Sequence, residues 1–154
     1  MRAVTSAEPI AEPEKFAVAA GKTLDGQPFD LQALRGKVVL VMLWSSGCAM
    51  CRDRMPELRD NIAAWKGKPF EIVAISHDRK RDDLLTYQQV IASAVKPNQR
   101  FPWVWAGEAE YKDNLGKPAS MPMSYLIDKN GKVVKSFAGR MPAEVWDQIA
   151  DMVY

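Results

Sequence analysis

Apolar runs of strand length alternate with helical periodicities along most of the chain. Two continuous apolar runs rich in β-branched residues, Val38–Leu43 and Phe70–Ile75, are typical of strands buried on both faces of a sheet. Between them, Ala49–Trp65 has apolar residues at spacings of three and four, which predicts a helix. Pro56 lies inside this segment and is expected to kink the helix, because proline removes a backbone hydrogen bond.

Shorter elements surround this central unit. Asp25-Gly26 and Asn130-Gly131 each separate two extended segments, and both dipeptides predict β-hairpins. The other predicted elements are a helical turn at Leu31–Leu34, a helix at Asp82–Val95, a strand at Phe101–Trp105, a helix at Glu108–Leu115, strands at Ser124–Asp128 and Val133–Phe137, and a closing helix at Ala143–Val153. Strands that alternate with helices and end in a hairpin predict an α/β fold whose sheet has an antiparallel edge.

Composition places the chain among soluble globular domains. Its 154 residues are 47% hydrophobic and 26% charged, which is ordinary for one domain. The segment 1–14 shows no periodicity and is predicted to be a flexible lead-in to a single domain over 15–154. The net charge of +2 is too small to indicate nucleic acid or a polybasic membrane contact. No apolar run reaches the roughly 18 residues typical of a transmembrane helix.

Only two cysteines occur, Cys48 and Cys51, at the junction between the first apolar strand and its helix. This count excludes a disulfide-rich scaffold and a four-cysteine zinc site. Positions three apart on a helix share a face, close enough for a disulfide. The start of a helix favours negative charge, so we expect the pKa of Cys48 to lie below the ordinary value of about 8.5. We therefore predict Cys48 as the nucleophile and Cys51 as the resolving cysteine; an inert structural disulfide or two buried thiols is the alternative.

Segments on both sides of the cysteines resemble one protein family. Together they are similar to the TlpA/ResA-like branch of the thioredoxin superfamily over nearly the whole chain from about Phe16. The segments that carry this resemblance are Leu24-Asp25-Gly26, Leu31 with Leu34-Arg35-Gly36-Lys37, the continuous run Gly36–Arg52, Met55-Pro56-Glu57-Leu58, Met121-Pro122 and Tyr125–Gly131.

This resemblance implies a thioredoxin-like fold, with a central mixed sheet flanked by helices and an N-terminal β-hairpin extension. It also implies that Pro122 is in the cis form and that Met121 and Pro122 bind an extended substrate segment beside the cysteines. The implied activity is thiol–disulfide exchange with partner proteins, mainly as a reductase, in cytochrome c maturation or in general thiol reduction of the cell envelope. No cofactor and no metal are implied.

The implied partners are proteins with cysteines or disulfides, and a separate redox partner such as a membrane thiol–disulfide transporter. We expect a periplasmic or other extracytoplasmic location, with a signal sequence or membrane anchor removed upstream. The segment 1–14 itself lacks the basic start, apolar run and cleavage site of a signal peptide.

Three positions depart from the family pattern. Gly47 stands where a tryptophan usually precedes the first cysteine, Met42 replaces a buried acid, and Arg54 replaces a glutamate. Arg52 adds a second cation, and positive charge near a thiolate favours its ionised form and hence the reduced protein. We therefore expect Trp44, Gly47, Arg52 and Arg54 to tune the cysteine pair, and we predict a less strongly reducing protein than typical relatives.

The two arginines have a second interpretation, in which they are solvated or paired with Asp53 and Glu57. No general base is evident from the sequence. Asp78, Glu108 and Glu110 follow strands and are candidates, although Asp78 is expected to be a solvated residue at a helix end.

Two other functions remain as alternatives. Ser45-x-x-Cys48 resembles the peroxiredoxin motif and would indicate a thiol peroxidase, but Val41 stands where that motif has proline. The single histidine, His77, follows the strand Phe70–Ile75 and could join Cys48 and Cys51 in a copper-binding chaperone. An exposed loop histidine is the simpler interpretation.

Overall fold

The two long apolar runs form neighbouring parallel strands at the centre of a mixed sheet. The computed structural model describes residues 15–154, so the predicted lead-in 1–14 lies outside the described residues. In chain order the elements are β1 (Ala19–Lys22), β2 (Pro28–Asp30), β3 (Val38–Trp44), α1 (Ala49–Ala64), β4 (Phe70–Ser76), α2 (Arg81–Ile91), β5 (Trp103–Trp105), β6 (Lys112–Asp113), β7 (Met123–Ile127), β8 (Val133–Ala138) and α3 (Glu144–Val153), with 3-10 turns at Leu31–Leu34, Ala92–Ala94 and Pro97–Gln99.

Five strands form the main sheet in the order β5-β4-β3-β7-β8. The pairs β3–β4 and β4–β5 are parallel, whereas β7 is antiparallel to both β3 and β8. A smaller antiparallel sheet has the order β2-β1-β6, in which β1 and β2 are the predicted N-terminal hairpin. The expected α/β, thioredoxin-like fold with a mixed central sheet and a hairpin extension is confirmed.

Two apolar cores lie on opposite faces of the main sheet, because successive strand side chains point to opposite faces. Leu40 and Met42 of β3 pack toward the helices, whereas Val41 and Leu43 pack toward the small sheet. The helical core contains buried side chains from all three α-helices: Cys51, Met55, Leu58 and Ile62 of α1, Leu84 of α2, and Val145, Ile149 and Val153 of α3. The opposite core contains Ala19, Phe29 and Leu31. The α-helices therefore pack on one face, and the hairpin covers the other.

One predicted element is wrong. Glu108–Leu115 was expected to be a helix, but the structure has turns there followed by β6, which adds a third strand to the hairpin. The edge of β1 supplies hydrogen-bond partners at Ala19 and Ala20. Asp113 also accepts the Leu115 N–H at 3.1 Å, a local bond that competes with helix formation.

Two helices differ from the expected pattern in smaller ways. α1 continues for 16 residues through Pro56, which lies on its exposed side. α2 ends at Ile91, before the predicted end at Val95, and a 3-10 turn over Ala92–Ala94 follows it.

Leu40, which has no exposed surface, tests the central position of β3. We expect Leu40→Ala to lower the free energy of unfolding by about 2–5 kcal/mol, because the truncation leaves a cavity that the packed sheet cannot close. Val90→Ala is the control, since 72% of Val90 is exposed, and it should change the same quantity by less than about 0.5 kcal/mol. Urea unfolding of both variants measures the difference. Equal costs would contradict the described packing.

Candidate active site

The junction between β3 and α1 presents the first cysteine at the start of a helix. β3 ends at Trp44, the segment 45–47 turns the chain, and Cys48 is the N-cap of α1 with an extended backbone. Its Sγ accepts the N–H of Cys51 at 3.1 Å. The first N–H groups of a helix lack partners within the helix, so a sulfur at this position meets a free donor and the positive end of the dipole.

Cys48 and Cys51 form a disulfide with a Cα–Cα distance of 5.2 Å. The two sulfurs differ in access, because Cys51 has no exposed surface and Cys48 is partly exposed. A partner molecule therefore reaches Cys48 first. This asymmetry fits the predicted order of a nucleophilic Cys48 and a resolving Cys51.

The loop before β7 lies beside the disulfide. The Met121–Pro122 peptide bond is cis, and the Met121 carbonyl oxygen lies 3.9 Å from Cys48 Sγ. Pro122 is buried and its carbonyl accepts the Gly139 N–H at 2.7 Å, which holds the loop against the end of β8. The structure thus brings Met121, Pro122 and Cys48 together.

Two methionines lie beside the cysteine pair and the Pro122 loop. Met50, between the two cysteines, is 50% exposed, and its sulfur lies beside Gly139. Met121 is half-buried, and its carbonyl oxygen lies beside Cys48 Sγ. We call Met50 and Met121 the methionine rim; unbranched thioether side chains of this kind adapt to varied apolar surfaces.

The residues expected to tune the cysteine pair have different surroundings. Trp44 is fully buried and packs edge-on against Trp103 and Tyr87, with ring centroids 4.9 and 5.8 Å away. It therefore supports the end of β3 from inside the core. Gly47 is exposed and leaves its flank of Cys48 open.

The two arginines hold different partners. Arg54 pairs with Glu57 at 3.3 Å, and the other Glu57 oxygen accepts the Trp146 indole N–H at 2.6 Å. Glu57 thus compensates the charge of Arg54 within α1. This agrees with the alternative interpretation of the sequence, in which the arginines pair with neighbouring acids. Arg52 instead donates to the Ser46 carbonyl at 2.7 Å, in the turn that leads to Cys48.

Asp78 is the residue that the sequence interpretation placed wrongly. It was expected to be solvated, but it is buried, with 9% of its surface exposed. Its carboxylate accepts the Ser46 N–H at 3.1 Å, the Ser46 hydroxyl at 2.7 Å and the Ser76 hydroxyl at 2.5 Å. The other two acid candidates, Glu108 and Glu110, lie between β5 and β6. Of the three, Asp78 is the one bonded to the turn before Cys48.

His77 is half-buried and lies near Asp113 and Lys117. Burial lowers the pKa of His77; the nearby Asp113 carboxylate opposes this shift, and Lys117 adds to it. Within residues 15–154 no three His, Cys, Asp or Glu side chains come together to hold a metal ion. The copper ligand set of His77 with the two cysteines is therefore not assembled.

A cleft of about 690 Å³ lies elsewhere, between the β1–β2 turn, the end of α2 and the segment before β5. Leu24, Arg59 and Trp103 are among its lining residues, and neither cysteine is. Over the described part of the chain, no helix has the length and apolar character needed to cross a membrane.

Comparison with known proteins agrees with this geometry. The model of the Redoxin family matches residues 11–153. The chain belongs to the Redoxin family. The Redoxin-family chain is similar in sequence to the ResA thiol–disulfide oxidoreductases and in fold to a DsbE thiol:disulfide interchange protein, and these likenesses confirm the resemblance to the TlpA/ResA-like branch.

Three relatives illustrate the likeness. The Redoxin-family chain is 30% identical over 121 residues to the thiol–disulfide oxidoreductase ResA of Bacillus thuringiensis, covering 79% of this chain and 66% of that protein. It is 29% identical over 139 residues to ResA of Geobacillus thermodenitrificans, with 85% and 76% covered. A solved structure from Chlorobium tepidum, described as a DsbE thiol:disulfide interchange protein, is 27% identical with a TM-score of 0.74, covering 94% of this chain and 99% of that one.

The lowered pKa of His77 predicts a pH-dependent stability. The unfolded chain binds a proton on His77 at a higher pH than the folded chain does, so the folded state loses stability as the pH falls through about 6.5. Between about pH 8 and about pH 5, we expect the wild type to lose more unfolding free energy than His77→Gln does. Urea midpoints at the two pH values measure this. Equal losses of unfolding free energy in both proteins would contradict a lowered pKa of His77 in the folded state.

Proposed function

We propose that this chain is a protein thiol–disulfide oxidoreductase that works mainly in the reductive direction. One observation carries the proposal: a partly exposed Cys48 at the N-cap of α1 is bonded to a fully buried Cys51. The likeness to the ResA proteins supports the same activity. The reductive direction is supported by the resemblance to the TlpA/ResA-like branch, which implies reduction of partner disulfides.

The proposed reaction transfers two electrons from the dithiol form to a substrate disulfide. The Cys48 thiolate attacks one substrate sulfur, forming a mixed disulfide and releasing the first substrate thiolate. Cys51 then loses its proton, and its thiolate attacks Cys48 Sγ. That step forms the Cys48–Cys51 disulfide and releases the second substrate thiolate. The protein dithiol is oxidised and the substrate disulfide is reduced, and the released thiolates take up protons according to their pKa values.

The start of α1 favours the attacking form of Cys48. In the described geometry its sulfur accepts the Cys51 N–H, and this donor and the helix dipole stabilise a thiolate more than a thiol. Arg52, in the first turn of α1, adds positive charge to the same region. These interactions support a pKa of Cys48 below the ordinary cysteine value.

We propose that substrates dock on the methionine rim and on the loop at Pro122. Met121 has its backbone carbonyl beside Cys48 Sγ, which supports pairing with the backbone of an extended substrate segment. Met50 and Met121 offer an adaptable apolar surface beside the cysteine pair. The proposed substrates are therefore proteins that expose a disulfide within an extended, partly apolar segment.

Each turnover leaves the cysteine pair oxidised, so the cycle needs a dithiol donor. The 154 residues contain no third cysteine to relay electrons, and we propose a separate redox partner such as a membrane thiol–disulfide transporter. We place the cycle in a periplasmic or other extracytoplasmic compartment, where disulfides form and persist. Cytochrome c maturation or general envelope thiol reduction would supply such substrates.

Reduction of insulin disulfides in the presence of dithiothreitol tests the proposed function. We expect the wild type to accelerate the reduction and Cys48→Ser to abolish the acceleration, because the attacking sulfur is lost. Cys51→Ser should accumulate a mixed disulfide at Cys48, since the resolving sulfur is absent. Non-reducing electrophoresis and mass spectrometry of the adduct measure this accumulation.

His77→Gln serves as the control and should keep the wild-type rate. Cys48→Ser with wild-type insulin reduction would contradict the proposal. Rapid consumption of peroxide by a wild type that leaves insulin unreduced would instead favour a thiol peroxidase.

A further inference from the structure

The ends of the two central strands coincide. Trp44 and Ser76 are the last paired residues of β3 and β4, and the His77 N–H donates to the Trp44 carbonyl at 2.7 Å. Ser46 and Asp78 therefore each lie two residues beyond the same ladder position. This register brings the Asp78 carboxylate against the turn that leads to Cys48.

Three hydrogen bonds, two to Asp78 and one to Arg52, hold Ser46 in place. Asp78 accepts both its N–H, at 3.1 Å, and its hydroxyl, at 2.7 Å, while Arg52 donates to its carbonyl at 2.7 Å. Ser76 fixes the carboxylate in turn, because its hydroxyl donates to the other Asp78 oxygen at 2.5 Å. A polar group buried in this way is stable only while its hydrogen bonds persist, so the arrangement resists displacement.

Gly47 is the residue between Ser46 and Cys48. It is exposed, and a Cβ atom built on it would meet nothing within 4 Å, so no neighbouring side chain restrains it. Glycine also allows more backbone conformations than any other residue. The Cys48 N–H donates to the Ser45 carbonyl at 3.2 Å, so Cys48 is tied to this turn, and the bonds to Ser46 hold the turn in place.

We propose that Asp78 is a positioning residue, which acts with Arg52 on Ser46 to hold Cys48 at the N-cap of α1. Here the Cys48 sulfur accepts the Cys51 N–H at 3.1 Å, the contact that stabilises a thiolate. The inference rests on the proposed function in taking Cys48 as the attacking cysteine. Beyond that function, the inference assigns a role to a buried carboxylate, which sets the position of Cys48 through its hydrogen bonds to Ser46.

Geometry and charge predict opposite effects when Asp78 is removed. The loss of a nearby negative charge alone would lower the pKa of Cys48. The loss of the N-cap position would raise it, because the thiolate loses its donor. Other charged groups lie on the neighbouring elements, and segment 119–123, which contains the Met121 loop, has none. They are Arg52, Asp53, the Arg54–Glu57 pair, Arg59 and Asp60 on α1, Arg81, Asp82 and Asp83 on α2, and Arg140 beside Gly139.

The pH dependence of Cys48 alkylation by iodoacetamide in the reduced protein separates the two effects. Asp78→Ala removes both the charge and the hydrogen-bond acceptor, so we expect a raised pKa of Cys48 and an alkylation rate about threefold or more below wild type at neutral pH. Asp78→Asn removes the charge but keeps an oxygen that accepts the Ser46 N–H, and should give a pKa at or below that of the wild type. Mass spectrometry confirms Cys48 as the modified residue.

Asp53→Ala is the matched control, since it removes an exposed carboxylate from the first turns of α1, and it should not raise the pKa of Cys48. A lowered pKa in both Asp78 variants would overturn the proposal, because the carboxylate would then act through charge alone; unchanged values would also overturn it. If circular dichroism shows Asp78→Ala unfolded, Ser46→Ala replaces it and must raise the pKa of Cys48. Alkylation needs no protein substrate, so a wild type that fails to reduce insulin overturns the proposed function and leaves this test intact.

Discussion

The in-register parallel pairing of β3 with β4 is the constraint on which the rest of the structure depends. Both strands are buried on both faces, so neither can slip by one residue without exchanging the side chains of the two cores. The last pair of the ladder, Trp44 opposite Ser76, fixes where the segments after β3 and β4 leave the sheet. From that edge the segment after β3 leads to Cys48 and the segment after β4 leads to Asp78. The two segments meet where Asp78 accepts hydrogen bonds from Ser46.

The chemistry proposed for the cysteine pair follows from a difference between two positions one helical turn apart. Cys48 caps α1 and is partly exposed, whereas Cys51 lies within the helix and packs in the core with Met55 and Leu58. A partner can reach only the first sulfur, and the second is held within bonding distance to resolve the mixed disulfide. Burial and helix geometry together account for the proposed order of attack.

Hydrophobic periodicity predicted the elements in which buried residues recur at regular spacing. It did not identify features that depend on residues far away in the sequence. The continuous apolar runs of β3 and β4 and the spacing within α1 were sufficient to predict the central unit. The short strand β6 at Lys112–Asp113 has no such pattern, because its stability comes from pairing with the free edge of β1. Asp78 likewise resembles a solvated loop residue until the register of two strands places it against Ser46. Strand register and edge pairing are tertiary properties that local patterns do not contain.

The central claim is that the N-cap geometry stabilises the Cys48 thiolate. The most direct test is an ultraviolet absorbance titration of thiolate formation in the reduced protein, with Cys48→Ser as the reference that isolates this sulfur. The account predicts that the pKa of Cys48 lies clearly below the value of about 8.5 for a free cysteine. A pKa at or above that value would contradict it.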